Sequence, residues 1–341
     1  MNLIGFLKVA GGRILAAVPI LLGVMVGTFV LVRLLPGDPV AFLASGPSVT
    51  PAQIAQIRQE YGLDRSIPEQ LVIFLRDVAQ GDLGRSMLTG RPVSADLLER
   101  LPASLELSLV GMVLAVMVAV PLGVASAARP DSLLDHVSRV LAVVGASFPP
   151  FVTAIVLVFV FYYLLPWVPD PIGRIDIFEG PPPSVTGLFL VDSLIARDMA
   201  KFASVAKQLV LPAATVAILV ISPIMRITRG AMISALESDY VRTARAAGLT
   251  SWDIYTRYAL RNALTPIVTT TGIVFSYMLG ANVLVEKVFS WPGIGAYTLQ
   301  AMTMSDYAPV QGFVLLIGFT YVIVNIAVDI ICYLIDPRMA I

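Results

Sequence analysis

Tyr240 to Pro266 reads YVRTARAAGLTSWDIYTRYALRNALTP. It lies between strongly apolar runs, yet it carries the four arginines Arg242, Arg245, Arg257 and Arg261. The pattern predicts a helix, a break at Gly248 and a second helix. Thr250 and Asp253 fit a capping box, the threonine side chain accepting from first-turn amides and the aspartate reaching back. Hydrocarbon excludes charged side chains, so an apolar chain that keeps such a hairpin presents it to water. We expect a partner protein to meet it there.

The chain around this stretch has 341 residues, 57% hydrophobic and 13% charged. A soluble domain carries about a quarter charged residues, so the chain reads as an integral membrane protein in a lipid bilayer. Its formal net charge is zero, which supports no nucleic-acid partner. Cys332 is the single cysteine and His136 the single histidine. That leaves no internal disulfide and no two-histidine zinc motif.

A helical span takes about 20 apolar residues. Six stretches qualify, giving an all-α fold in a single transmembrane domain over 1–341: 14–34, 105–128, 138–166, 205–228, 263–286 and 308–335. The first follows Lys8 and Arg13 like a signal peptide. Its apolar core is too long for one and five spans follow, so it reads as an uncleaved anchor. Within it Gly23 and Gly27 have the GxxxG spacing that admits a close neighbour. Arg33 at its outer end is expected to snorkel to the interface. Tyr162, Tyr163 and Trp167 suit an aromatic belt at the end of the third span.

Lysine and arginine in short loops set orientation. The N-terminus has Lys8 and Arg13, the loop 128–139 has Arg129 and Arg139, and 226–261 has six arginines, against Lys287 alone in 286–307. Both termini and the loop 240–262 are therefore expected in the cytoplasm. The long loops 35–104 and 167–204 then lie outside. In the first, Thr50-Pro51-Ala52-Gln53 and Ser66-Ile67-Pro68-Glu69 each offer a capped helix start. Gly62 and Gly81 close the two helices. The second opens with Pro169, Pro171 and Pro181 to Pro183, an extended run. Leu188 to Phe202 follows and suits an interfacial helix.

No GxxxxGK[ST], HExxH or GxSxG is present. The chain is expected to hydrolyse no ATP through a P-loop and to hold no catalytic residue, cofactor or metal. His136 reads as an interfacial polar residue. Glu286, Lys287 and Asp329 near span ends read as interfacial or packing groups. Asn282 lies deeper. It is a candidate for lining a path or for bonding a neighbouring helix, with packing preferred. Prolines 121, 149, 150, 212 and 223 kink helices and free carbonyls, which suits a protein with a path through it.

Several stretches carry a resemblance: Leu35-Pro36-Gly37-Asp38-Pro39, GDLGRSMLTGRPVSADLLERLPASLELSL from Gly81, TGLFLVDSLIARD from Thr186, DYVRTARAAGL from Asp239, LRNALTP from Leu260, VFSWPGIG from Val288 and Leu334-Ile335-Asp336-Pro337-Arg338. In this order the chain resembles, along nearly its whole length, the permease subunit of bacterial ABC importers of the dipeptide/oligopeptide/nickel class. The resemblance implies a type I importer fold in the cytoplasmic (inner) membrane. It implies a second homologous permease, two ATPase subunits that bind ATP and Mg, and an extracytoplasmic substrate-binding protein. This chain would be a transport subunit rather than an enzyme, forming half the path for peptides or a similar small solute.

The general importer pattern is EAA, three residues, Gly, nine residues, I-x-L-P. Aligned on Gly248, it sets Arg242-Thr243-Ala244 over EAA and Tyr258-Ala259-Leu260-Arg261 over the last element. Arg242 thus replaces the glutamate and Arg261 the proline. The resemblance makes Arg242, Thr243, Ala244, Arg245, Ala246, Ala247, Gly248, Leu249, Thr250 and Ser251 the coupling helix that docks on an ATPase. The cargo, whether peptide, nickel complex, opine or oligosaccharide, would be chosen by the binding protein. The alternatives are an ABC exporter permease or a stand-alone secondary transporter or channel. The last would leave the hairpin without a partner and should show buried ionisable groups. A membrane-embedded enzyme lacks paired catalytic residues.

Overall fold

The fold is that of a computed structural model, which describes residues 3–34, 40 and 50–335. The Leu35–Pro39 motif and the Asp336-Pro337-Arg338 ending lie outside the described residues. Elements run α1 (Leu3–Leu34), α2 (Pro51–Glu60), α3 (Ile67–Ala79), α4 (Val93–Ala128), α5 (Leu133–Ser147) and α6 (Pro150–Leu157), which continues as a π-type turn, Val158–Leu164. They continue with α7 (Phe189–Ile195), α8 (Met199–Leu236), α9 (Asp239–Ala246) and α10 (Ser251–Asp253), which joins α11 (Leu260–Ala281) through a π-type turn, Ile254–Ala259. The last are α12 (Val283–Val288), α13 (Ile294–Thr303) and α14 (Tyr307–Ile335). Among the described residues five helices are long and apolar enough to cross a membrane, six if one bent pair is a single span.

That pair revises the third span. The sequence reads 138–166 as one run, whereas α5 and the helix from Pro150 meet at 104°. Pro149 has no N–H to donate and drives the residue before it out of the helical region. Phe148 accordingly sits at φ −93°, ψ 140°. Helices also outrun the apolar stretches: α4 starts at Val93 and α8 at Met199. Helical hydrogen bonding continues wherever the backbone allows it and needs no apolar side chains. The segment Leu188 to Phe202 is divided rather than being one helix. Arg197 takes φ +56°, and the Asp198 side chain accepts from the Lys201 amide at 3.0 Å, starting α8.

Two compact units divide the chain. The first comprises residues 1–102 and 292–322. Its capping boxes form as the sequence predicts. Thr50 N–H donates to Gln53 Oε1 at 2.8 Å and Ser66 N–H to Glu69 Oε2 at 3.0 Å; Gly62 and Gly81 take positive φ. Arg33, at the end of α1, is half-buried. Its guanidinium lies 3.9 Å from the Phe29 ring centroid, and its Nε donates to Gln70 of α3 at 2.9 Å. The charge is thus covered by an aromatic face of its own helix and by an amide of α3. Among the described residues no neighbouring heavy atom comes within 4 Å of a Cβ built on Gly23 or Gly27, so their GxxxG spacing holds none of the described helices. The turn 82–92 is pinned to buried carboxylates. Ser86 Oγ donates to Asp306 at 2.7 Å, Thr89 Oγ1 to Asp96 at 2.6 Å and Tyr297 OH to Asp96 at 3.0 Å.

The second unit comprises residues 103–291 and 323–341. Its centre is α8, against which α5, α6, α7 and α11 pack. The close approach of α4 uses small residues four apart: Gly111, Ala115, Ala119 and Gly123. A Cβ on Gly123 would meet Thr228 at 2.7 Å and one on Gly111 would meet Val216 at 2.9 Å, and both alanines are buried. Small residues at i, i+4 let helix backbones approach. Near one end of α8, Arg229 clamps Asp135 of α5 with two 2.8 Å hydrogen bonds.

Candidate functional site

The stretch that opened the reading folds as a closed hairpin. The helix α9 ends in a Schellman motif: the Gly248 amide donates to Arg245 O at 3.0 Å and the Leu249 amide to Ala244 O at 3.2 Å. This geometry requires the left-handed region just after the helix, and Gly248 sits at φ +76°. The next helix is capped as expected, with Thr250 Oγ1 accepting from Asp253 N–H at 3.2 Å. The aspartate reaches back to the threonine hydroxyl, which donates to Oδ2 at 2.6 Å.

Val241 and Ala244 face inward. They share one buried cluster with Ile254, Ala259, Ala263 and Ile267 of the following helix and with Met232 and Leu236 of α8. Of the ten residues Arg242–Ser251, Ala244 is therefore packing, and the other nine are exposed. The segment from Ser251 to Ala281 is one continuous helical run, interrupted only by the π-type turn. The hairpin is thus welded to two long helices rather than hanging from a loop.

A second polar set lies inside the same unit. Asn282 is 1% exposed and donates through Nδ2 to Ser108 Oγ at 3.0 Å. One turn on, Glu286 is 0% exposed and accepts from Ser104 Oγ at 2.5 Å. Ser104 and Ser108 stand four apart on α4, as Asn282 and Glu286 stand four apart across the bend into α12. Two helical i, i+4 pairs therefore meet as a two-rung ladder. Asn282 occupies a packing position in this conformation. Of the two readings of Glu286, interfacial or packing, its burial fits packing.

Between the two serines in the chain, Glu106 of α4 takes Arg174 Nη2 at 2.7 Å and the Leu190 amide at 2.7 Å. Arg174 also donates to Gly187 O at 2.8 Å and lies 3.6 Å from the Phe189 ring centroid. Asp192 collects Thr186 N–H at 2.8 Å, Thr186 Oγ1 at 2.7 Å and Gly187 N–H at 2.9 Å. Burial pushes Asp192 up, but these donors outweigh it and hold its carboxyl below the usual range. The stretch TGLFLVDSL is thus a clamp on its own loop. Arg174 and Glu106 escaped the sequence reading; the one available signal was a lone arginine in a proline-rich stretch.

Among the described residues no group of three His, Cys, Asp or Glu side chains could hold a metal. His136 is exposed and engages Ser132 O through Nδ1 at 3.0 Å.

Fold and site define a multi-pass helical membrane protein bearing a capped, basic hairpin on two of its long helices. The chain belongs to the family of binding-protein-dependent transport system inner membrane components. That family's pattern matches residues 119–341, and the corresponding N-terminal pattern matches residues 6–108. Similar curated proteins include the "Probable D,D-dipeptide transport system permease protein DdpB" of Escherichia coli strain K12, 39% identical over 98% of both chains. The "Di/tripeptide transport system permease protein DppB" of Pseudomonas aeruginosa strain UCBPP-PA14 is 37% identical, covering 94% of this chain and 95% of its own. A solved chain of the MetNI methionine ABC transporter, in inward-facing conformations, aligns at TM-score 0.49 and 16% identity. It covers 69% of this chain and 93% of its own.

Proposed function

We propose that this chain forms half the translocation path of an ABC importer for short peptides. Its exposed hairpin 240–262 would be the face on which an ATPase docks. The cargo reading is supported by relatives named for dipeptide and di/tripeptide transport at 34–39% identity over nearly the full length. In this reading the partners are a second homologous permease, two ATPases carrying ATP and Mg, and an extracytoplasmic binding protein. The fold is of the type I importer kind, and both termini lie in the cytoplasm.

The observation that carries the docking role is the hairpin's construction. Its inner face is buried against α8 and α11, while the residues from Arg245 to Trp252 are exposed. The continuous helix Ser251–Ala281 has 31 residues, about 46 Å at 1.5 Å per residue. A displacement of the tip is therefore delivered to two spans at once, as a lever requires. ATP binding would draw the two ATPases together and move each docked hairpin. The spans would tilt, and access would alternate between the two sides.

A stand-alone transporter would show buried ionisable groups. Glu106 and Glu286 are such groups, yet each is tied to structural partners, Arg174 and Ser104. Family membership favours a binding-protein-dependent system, hence import over export.

Cysteine cross-linking from Ala246 to the ATPase tests the docking. We expect a link there and none from a cysteine at Phe178, in the loop placed outside. A link from Phe178 with none from Ala246 rejects the assignment.

A further inference from the structure

We infer that Trp252 is the apolar anchor of the hairpin's contact with its ATPase. It would fill a pocket with an apolar floor and a rim of carboxylates. This rests on the docking role proposed above and names the chemistry of the surface that receives it.

The chain has three tryptophans, and each has a different setting. Trp291 is 0% exposed, and its indole N–H donates to Ala103 O at 2.8 Å. Trp167 is 72% exposed, but it ends the third span, where Tyr162 and Tyr163 are exposed with it. A headgroup belt accounts for that set. Trp252 is 75% exposed and has no such account. It stands in the first turn of the run Ser251–Ala281. Ala263, where the fifth apolar stretch starts, lies eleven residues on, about 16 Å along the axis. Arg257 and Arg261 lie between, so the ring stands beyond headgroup reach of its own span.

The tip is also rigid. Thr250 caps the turn, and Thr256 Oγ1 donates to Trp252 O at 2.8 Å. Leu249, three residues earlier across the Schellman turn, is 38% exposed. An apolar ring and an apolar branch thus flank the turn on a preordered backbone, and presenting them costs little ordering entropy on binding.

Charge supplies the rim. Residues 239–261 hold four arginines against Asp239 and Asp253, a net of +2. Asp239 pairs with Arg242 at 3.3 Å and Asp253 with Arg257 at 3.5 Å. Among the described residues no ion pair engages Arg245 or Arg261. A protein surface that seats the indole and bears carboxylates beside it complements this face. Tryptophan and arginine are also the residue types that dominate interface energetics.

The full chain, assembled with its cognate permease in phosphatidylcholine nanodiscs and titrated with the ATPase subunits, provides the test. The Trp252 signal is the wild-type emission minus that of Trp252→Phe. We expect it to shift to the blue when ATPase is added. Trp252→Ala should weaken ATPase binding at least ~30-fold, the scale of an interface hot spot, while melting like wild type because the side chain packs against little. Wild-type affinity in Trp252→Ala, with the Ala246 cross-link still forming, overturns the anchor and leaves the docking role standing. Loss of the Ala246 link in the wild-type complex overturns the docking role itself. A blue shift with phosphatidylglycerol vesicles but none with ATPase makes the ring a membrane contact and overturns the proposal.

Discussion

Replacing Gly248 tests whether the hairpin's turn is held by backbone conformation alone. Gly248 sits at φ +76°, and among the described residues a Cβ built there meets no neighbouring heavy atom within 4 Å. Crowding within the chain therefore contributes nothing, and the whole cost of a side chain is conformational. The left-handed region costs an L-residue about 1–2 kcal/mol. Asparagine pays less, because its short amide bonds locally, and a β-branched residue pays more. Two hydrogen bonds depend on this conformation, from the amides of Gly248 and Leu249.

Local opening of that turn should rise about 5–30-fold in Gly248→Ala, the range that 1–2 kcal/mol implies. It should rise less in Gly248→Asn and more in Gly248→Val. Hydrogen exchange at residues 248 and 249 in the purified chain reads this directly. Protection should fall in the order Gly, Asn, Ala, Val. The thermal midpoint should stay near wild type, because Val241 and Ala244 keep the inner face packed. Transport should follow the same order if the tip must be preformed to dock. Equal protection in all four proteins, or wild-type transport by Gly248→Val, would refute the reasoning.

Three further outcomes follow from packing and charge. Glu106→Gln strands the buried Arg174 guanidinium and should destabilise the protein by about 3–5 kcal/mol, read as a lowered unfolding midpoint in detergent. Gly272→Ala drives a Cβ into Val328 and should cost about 1–3 kcal/mol; adding Val328→Ala should restore most of it, again in the unfolding midpoint. Asp192 has a depressed folded-state pKa, so its clamp contributes stability above the unfolded carboxylate value near ~3.9 and loses it as pH falls through the folded value. Proteolysis of the 186–195 loop should therefore rise only under acid, and Asp192→Asn should be susceptible already at neutral pH.

Contiguous residues carry their own physics, and there the sequence was readable. The caps at Thr50, Ser66 and Thr250, the glycine stops at Gly62, Gly81 and Gly248, and the apolar stretches all depend on neighbours within about one helical turn. Pro149 and Pro150 were visible as kink residues. The 104° turn they make was not, because apolar composition is the same on both sides of a bend. The unreadable features join distant residues: Arg174 with Glu106 across 68 positions, Glu286 with Ser104 across 182, and Arg229 with Asp135 across 94. A charge states its need for a partner but not which helix supplies one. The same holds for close approach. Gly23-x-x-x-Gly27 and the stripe from Gly111 to Gly123 look alike in sequence, yet among the described residues only the second has a helix against it. By itself, then, the sequence determined the apolar stretches and the capped basic hairpin between them. Tertiary structure decided that the hairpin's inner face is buried on α8 and α11, leaving Trp252 and the arginines outward, because burial depends on which helices meet.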